Sequence, residues 1–290
     1  MKAAALLLAV ITSVLSGCAT DLKAVRTFAD ETKKISIAFD PLLAGAVTQC
    51  QEREKFKRLY TGTTTVRQFD PVEVTKQAAE TCKPIADENE TAKKVSATLG
   101  SYAEKLSAVA GDGVASSVDD DYDALAKKLG DFKDFPKEKV SALNGLFKFL
   151  TRVVIAREQR REIEDALNHE EAIGLLADAL VLYSERVYGG YIKDRIRDNE
   201  DYKEFIKNGD IAMPVMLAKL QLIQLTGEQQ KLADQRKVIT PLRDSVAQMK
   251  LTLRDLRANL NNMSDSERLK EVAKLAKEVR ALYQQLDKAF

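Results

Sequence analysis

Tryptophan is absent from this 290-residue chain, and histidine occurs once, at His169. Without tryptophan there is little aromatic surface on which a sugar could stack. A single histidine leaves little material for zinc ligation or a Ser-His-Asp relay, and no Gly-x-Ser-x-Gly elbow accompanies it. Neither a glycine-rich phosphate loop nor a Cys-x-x-Cys pair occurs. Sustained period-two alternation, the mark of a half-buried strand, is missing too. Charge of one sign is also lacking: 45 Lys and Arg stand against 44 Asp and Glu. That balance argues against the strongly basic face of a nucleic-acid binder. It argues equally against electrostatic adsorption to anionic lipid.

What is present is a 45% hydrophobic, 31% charged composition of mixed sign, enough apolar material for a packed core. At the amino terminus, Lys2 precedes an apolar run from Ala3 to Leu15, which closes on Leu15-Ser16-Gly17-Cys18. The run is shorter than the roughly 20 apolar residues of a bilayer-spanning helix. Together these residues resemble the export signal of bacterial lipoproteins. The resemblance implies cleavage before Cys18, acylation of its thiol and acylation of the new amino terminus. Residues 1–17 are then a signal peptide, and palmitate-type chains hold the mature protein at a membrane, since two or more chains anchor firmly. Ala19 stands where an aspartate commonly retains such proteins at the inner membrane. The expected address is therefore the periplasmic face of the outer membrane. Lys2 is the only charge before Cys18, so the mature chain balances 44 basic against 44 acidic residues.

With Cys18 acylated, Cys50 and Cys82 remain as an even pair in an oxidising compartment, where a disulfide is the expected state. Residues 22–59 and 71–110 read as helices joined by a polar turn, Tyr60 to Asp70. The two cysteines lie roughly 14 and 16 Å from that turn at 1.5 Å per residue, hence at similar heights in an antiparallel hairpin. Both fall on the apolar stripes: Leu22, Val25, Phe28, Ile35, Phe39, Leu42, Ala46 and Cys50 on the first helix. The second carries Val74, Ala78, Cys82, Ile85, Ala92, Val95, Leu99, Tyr102, Leu106 and Val109. Asp70 caps and Pro71 opens the second helix. Asp40-Pro41 and Lys83-Pro84 predict a kink in each.

Gly111-Asp112-Gly113 marks a boundary between an N-terminal hairpin (18–115) and a helical bundle (116–290). Ser117 opens a short helix to Leu129. A longer helix starts near Pro136 and carries the densest apolar run, Val140, Leu143, Leu146, Phe147, Leu150, Val153 and Val154. Asn168 with Glu171 has capping-box spacing. Ile173 to Tyr191 keeps a helical rhythm, stopped at Asn208-Gly209-Asp210. Leu242, Val246, Met249, Leu253, Leu256 and Leu260 repeat 4-3-4-3-4 after Thr240-Pro241, a heptad seam. Ser264 to Glu267 form a second capping box before Leu269, Val272, Leu275, Val279, Leu282 and Leu286. The expected fold is all-α. It is an elongated bundle of six to eight helices, with a disulfide-bridged N-terminal hairpin and a C-terminal antiparallel coiled-coil hairpin docked on the rest.

Candidate chemistry is sparse. His169 has Asp165 at i−4 and Glu170 and Glu171 beside it, yet the second histidine of a zincin is missing and Ala166 breaks a Glu-x-x-His motif. It reads as a surface residue near a helix cap, and no metal or cofactor is expected. Asp119, Asp121 and Asp123 have the 1-3-5 spacing of a calcium loop, but Ala124 and Gly130 occupy its glycine and glutamate positions. Acids gathered at a helix N-terminus are the simpler reading. Tyr183, Arg186, Tyr188 and Tyr191, around Gly189-Gly190, are the candidate partner-contact surface; the competing reading puts the tyrosines in the core. The expectation is a non-catalytic lipoprotein that binds an envelope or periplasmic protein as scaffold, adaptor or assembly factor. The alternatives are an immunity or inhibitor lipoprotein that blocks a toxin or envelope hydrolase, and a peptidoglycan-acting enzyme.

Overall fold

A computed structural model of the chain describes residues 22–61, 68–111, 114–117, 122–133, 135–154, 158–209, 213–260 and 265–290. Residues 1–17, the Leu15–Cys18 motif, Asp119 and Asp121 all lie outside them. The described residues form twelve α-helices: α1 Lys23–Ala38, α2 Asp40–Thr61, α3 Pro71–Thr81, α4 Lys83–Gly111, α5 Tyr122–Asp131, α6 Leu143–Thr151, α7 Gln159–Asn168, α8 Glu170–Tyr183, α9 Gly190–Asn208, α10 Val215–Arg236, α11 Ile239–Asn259 and α12 Asp265–Ala289. The fold is all-α, and no strand occurs among the described residues. More helices exist than the six to eight expected, because prolines and backbone competition cut long periodic stretches into pieces.

Both proline breaks fall where expected. Phe39 separates α1 from α2, and Cys82 separates α3 from α4. Asp70 accepts hydrogen bonds from the backbone N–H groups of Val72 and Glu73, with Pro71 in the first turn. The α1–α2 arm and the α3–α4 arm form the N-terminal hairpin, in which α1 packs along α4 and α2 along α3. The Cys50–Cys82 disulfide joins the arms, with Cα atoms 6.0 Å apart and both residues buried.

The C-terminal seam is equally well defined: Leu242, Val246, Met249, Leu253, Leu256 and Leu260 are all buried, as are Val272, Leu275, Val279, Leu282 and Leu286. α11 and α12 pair with each other and lie against α1, and α11 also meets α7 and α8. Its helix starts differ from expectation. α11 begins at Ile239 with Val238 at the cap position and no side-chain cap bond, so Thr240-Pro241 lies inside its first turn rather than before it. The connection 261–264, with Ser264, lies outside the described residues, but Arg268 ties the start of α12 to the end of α11. Its buried guanidinium donates to the carbonyl of Leu260 at 2.8 Å. One hydrophobic core, running from Ala24 to Ala289, includes residues on both sides of the break at 111–117.

The dense run from Val140 to Val154 does not form one helix. A 3₁₀ turn over Lys137–Ala142 leads into α6, which ends at Thr151. Two interactions remove the backbone groups that would prolong it. Lys105 of α4 donates through Nζ to the carbonyl of Leu150 at 2.9 Å and to that of Arg152. Val154 then exchanges two backbone hydrogen bonds with Ala115, at 2.9 and 3.2 Å. In that extended pairing successive side chains point to opposite sides. Val154 is therefore buried and Val153 exposed. The capping box expected at Asn168 is also not formed. His169 is the residue before α8 and makes no cap bond, while Asn168 Oδ1 accepts from Arg257 Nε at 3.1 Å.

Candidate functional site

The expected contact surface turns inward. Tyr183 and Tyr188 have no exposed surface, and Arg186 and Tyr191 are half-buried. The Tyr183 hydroxyl donates to Asn89 Oδ1 at 3.1 Å, and its ring stacks on Phe132 at 5.7 Å between centroids. Arg186 lies over the Tyr183 ring at 5.8 Å and pairs with Glu88 on α4. Tyr188 is seated against α2 so closely that a Cβ on Gly45 would stand 2.6 Å from its ring. Two of the four proposed contacts are thus core residues, and the competing core reading describes them.

The cause is a π-helical turn over Ser184–Gly189, between α8 and α9. A π turn inserts one extra residue and rotates the helix beyond it. Hence Tyr188 and Ile192 point into the core, and Tyr191 is displaced to its margin. Gly189 permits this approach, since a Cβ there would meet Ile239 Cδ1 at 2.6 Å.

His169 is not the surface residue expected, for only 14% of its side chain is exposed. It stacks obliquely on Phe149, 5.5 Å between centroids, and its Nε2 stands 3.9 Å from Asp165 Oδ1, beyond hydrogen-bond reach. Burial pushes its pKa below the ordinary value of 6.5, with Arg152 adding to the shift and Asp165 opposing it. Lys105 lies in the same cluster, its ammonium 5.2 Å from the centre of the Phe149 ring. Burial lowers its pKa to about 8, helped by Arg152 and opposed by Glu162. Arg152 closes the group by bridging Glu162 and Asp165. Lys105 is taken up by the end of α6 and Arg152 by Glu162 and Asp165, whereas His169 Nε2 is buried without a hydrogen-bond partner; no group of three metal-ligating residues occurs among the described residues. Asp123 is exposed in the first turn of α5, where the helix dipole favours an acid.

The surface that stands out is on α10. Helix-forming Met, Leu, Ala and Gln fill its first half after Pro214. From Ile211 to Gly227 the single charged residue is Lys219, in a chain that is 31% charged. One face of α10 packs inward through Leu225 and Leu232, against α9 and α12. Polar ties fix that face: Gln235 accepts from Gln49 at 3.3 Å, Gln229 donates to the Ile196 carbonyl at 3.3 Å, and Arg195 pairs with Glu228. α9 in turn is held to α2 by Arg53, which reaches Asp194 at 2.7 Å and Asp198 at 3.1 Å. Phe56 meets Tyr202 edge to face at 5.9 Å.

Val215, Met216, Leu217, Leu220 and Ile223 of α10 are between 52 and 75% exposed; Met216, Leu220 and Ile223 lie on the side away from Leu225 and Leu232, with Val215 and Leu217 on its two flanks. Met216, Leu220, Ile223 and Gly227 follow one another at spacings of 4, 3 and 4, so they share a stripe. Around the Cβ position of Gly227 there is open space for 4 Å. Single exposed apolar residues are ordinary, but a contiguous patch of several marks an interaction surface. Periodicity missed it because α10 is apolar on two faces and gives no single stripe. The usable signal was the long run with one charge.

This face lies far from the start of α1. Arg26, in the first turn of α1, meets Gly111 at the end of α4, whereas α10 begins beyond the far end of α2. The intervening α1 and α2 amount to on the order of 50 Å of helix. No described helix is long and apolar enough to cross a membrane. Compared with known proteins, the chain matches no protein-family model, no curated protein and no solved structure.

Proposed function

We propose that this protein is a lipid-anchored scaffold or adaptor of the bacterial envelope, acting by binding protein rather than by catalysis. In this reading Cys18 carries the acyl chains and holds the mature chain on the periplasmic face of the outer membrane. Its sequence Leu15-Ser16-Gly17-Cys18 and the Cys50–Cys82 bridge both support an exported, oxidising location. The observation that carries the binding role is the outward apolar face of α10. None of the described residues covers that face, and leaving it exposed in water has a cost that a partner would remove. Its placement far from the anchored end presents it away from the membrane that holds the lipid.

Photo-crosslinking from Leu220 in full-length protein, within native envelopes, tests the role. A specific protein adduct is expected, and absence of any protein adduct overturns the reading. Inhibiting lipoprotein signal peptidase with globomycin tests the anchor separately: precursor retaining residues 1–17 should accumulate, and unchanged maturation removes the proposed address.

A further inference from the structure

We infer that the cleft between α2, α9 and α10 binds a small organic acid, a single carboxylate on a compact apolar body. This cleft is separate from the outer face of α10 and lies on the flank of that helix. Glu228, Lys231, Leu232 and Gln235 recur at i, i+3, i+4 and i+7, which sets them on one side of α10. Gly45 and Gln49, at i and i+4, present one side of α2 to the same space, and Arg195 of α9 and Phe290 complete the lining. The volume, about 530 Å³, falls within the range of small-molecule sites.

A hydrogen-bond relay decides what the cleft offers. A guanidinium can only donate, so Arg195 Nη1 fixes Gln49 with its Oε1 turned toward the arginine. Gln49 Nε2 then donates onward to Gln235 Oε1 at 3.3 Å. What remains is Gln235 Nε2, a donor with no partner among the described residues, on a residue only 7% exposed. A sheltered donor left in that state costs stability until something accepts from it. Lys231, one turn earlier on the same side of α10, is exposed and pairs with no acid among the described residues. Glu228, the acidic side chain of the lining, is engaged by Arg195.

Two neighbouring donors, one of them charged, match the paired oxygens and single charge of a carboxylate. A phosphate would bring more charge against Glu228 with no second unpaired cation to meet it. The rest of the wall is apolar, made by Leu232, the bare backbone of Gly45 and the Phe290 ring. Tyr188 backs that wall, with its ring packed on Gly45 and 6.4 Å from the centre of the Phe290 ring. The cleft between α1 and α4, about 620 Å³, offers no comparable set of free donors. There Lys33 pairs with Glu104 at 2.9 Å, Ser107 donates to Asp30 at 3.0 Å and Arg26 donates to the Ala110 carbonyl at 3.5 Å.

Ligand-observed NMR on full-length protein in detergent micelles, with protein-free micelles as baseline, gives the test. The probes are N-acetyl-leucine and phenylbutyrate. N-acetyl-leucinamide supplies the same body without charge, and acetate the charge without the body. At least one of the two acids is expected to bind, and both controls to bind about tenfold more weakly or less, through loss of a charged hydrogen bond or of apolar contact. Lys231→Met and Gln235→Leu should each weaken binding about tenfold. Lys231→Met should melt with the parent, because the residue is exposed, so its loss of binding is not a loss of fold. Failure of both acids overturns the inference. Equal binding of the amide overturns it, as does undiminished binding by Lys231→Met. The outer face of α10 takes no part, so each of these results leaves the protein-binding role standing.

Discussion

Two helical hairpins in the C-terminal half are built from similar residues and end differently. In α11–α12 the seam leucines are buried, Leu269 partly, between the paired helices and against α1, α7 and α8. In α9–α10 the inner face of α10 is held by two leucines and a set of polar ties, while its outer leucines and isoleucine face solvent. The difference lies in what surrounds each hairpin, not in how apolar each is. α11–α12 closes the bundle on one side. α9–α10 extends past the end of α2, where no further helix of the described chain covers it.

Leucine truncation should break the comparison most sharply. Leu253→Ala, in the buried seam, is expected to cost about 3–5 kcal/mol in chemical denaturation, from lost transfer energy and a residual cavity. Leu220→Ala on the open face should stay within about 0.5 kcal/mol. Equal losses would mean that the α10 face is covered in the free protein.

The N-terminal hairpin differs from both in being covalently closed. Replacing Cys50 and Cys82 together by alanine should remove about 3–4 kcal/mol by the chain-entropy account of a loop of this length. Reductant should then have no further effect on the variant's unfolding midpoint, whereas it should lower that of the parent.

Gly45→Ala should cost about 1–3 kcal/mol, because the new methyl would meet the buried Tyr188 ring and force it or α2 to shift. Gly227→Ala, in open space on α10, should instead be neutral or slightly stabilising by thermal melting. That pair sharpens the contrast between a helix pressed into the core and one with a free face.

The smallest effect concerns pH. The folded pKa of His169 lies below its ordinary 6.5, so the unfolded chain takes up this proton first on acidification. Its contribution to stability is complete above about 6.5 and disappears as pH falls through the lower folded value. Melting temperature followed downward from pH 7 should decline less steeply for His169→Gln than for the parent. Identical slopes would show that the ring is neutral in its site for no energetic reason.

Much of the architecture was legible in the residues. The kinks at Asp40-Pro41 and Lys83-Pro84, the Asp70 cap, the stop at Gly209 and both C-terminal stripes follow from local rules on proline, capping and 3.6-residue spacing. Gly209 takes a φ of 75°, a left-handed conformation that suits glycine at a helix end. The cysteine pairing followed from matching heights in a hairpin. Where expectation failed, a distant partner had intervened. Lys105, 45 residues before Leu150, ended α6 by claiming its terminal carbonyls. Arg257 drew Asn168 away from a capping role.

The candidate site was less legible, for the same reason. A tyrosine's type does not say which way a helix has turned by the time it arrives, and the π turn at Ser184–Gly189 rotated Tyr188 inward. By itself the amino-acid order settled helix positions, breaks and which residues are apolar, because these depend on neighbours within a turn or two. Only tertiary packing decided which apolar faces would be covered. Burial depends on what lies opposite, and opposite the outer face of α10 the described chain places nothing.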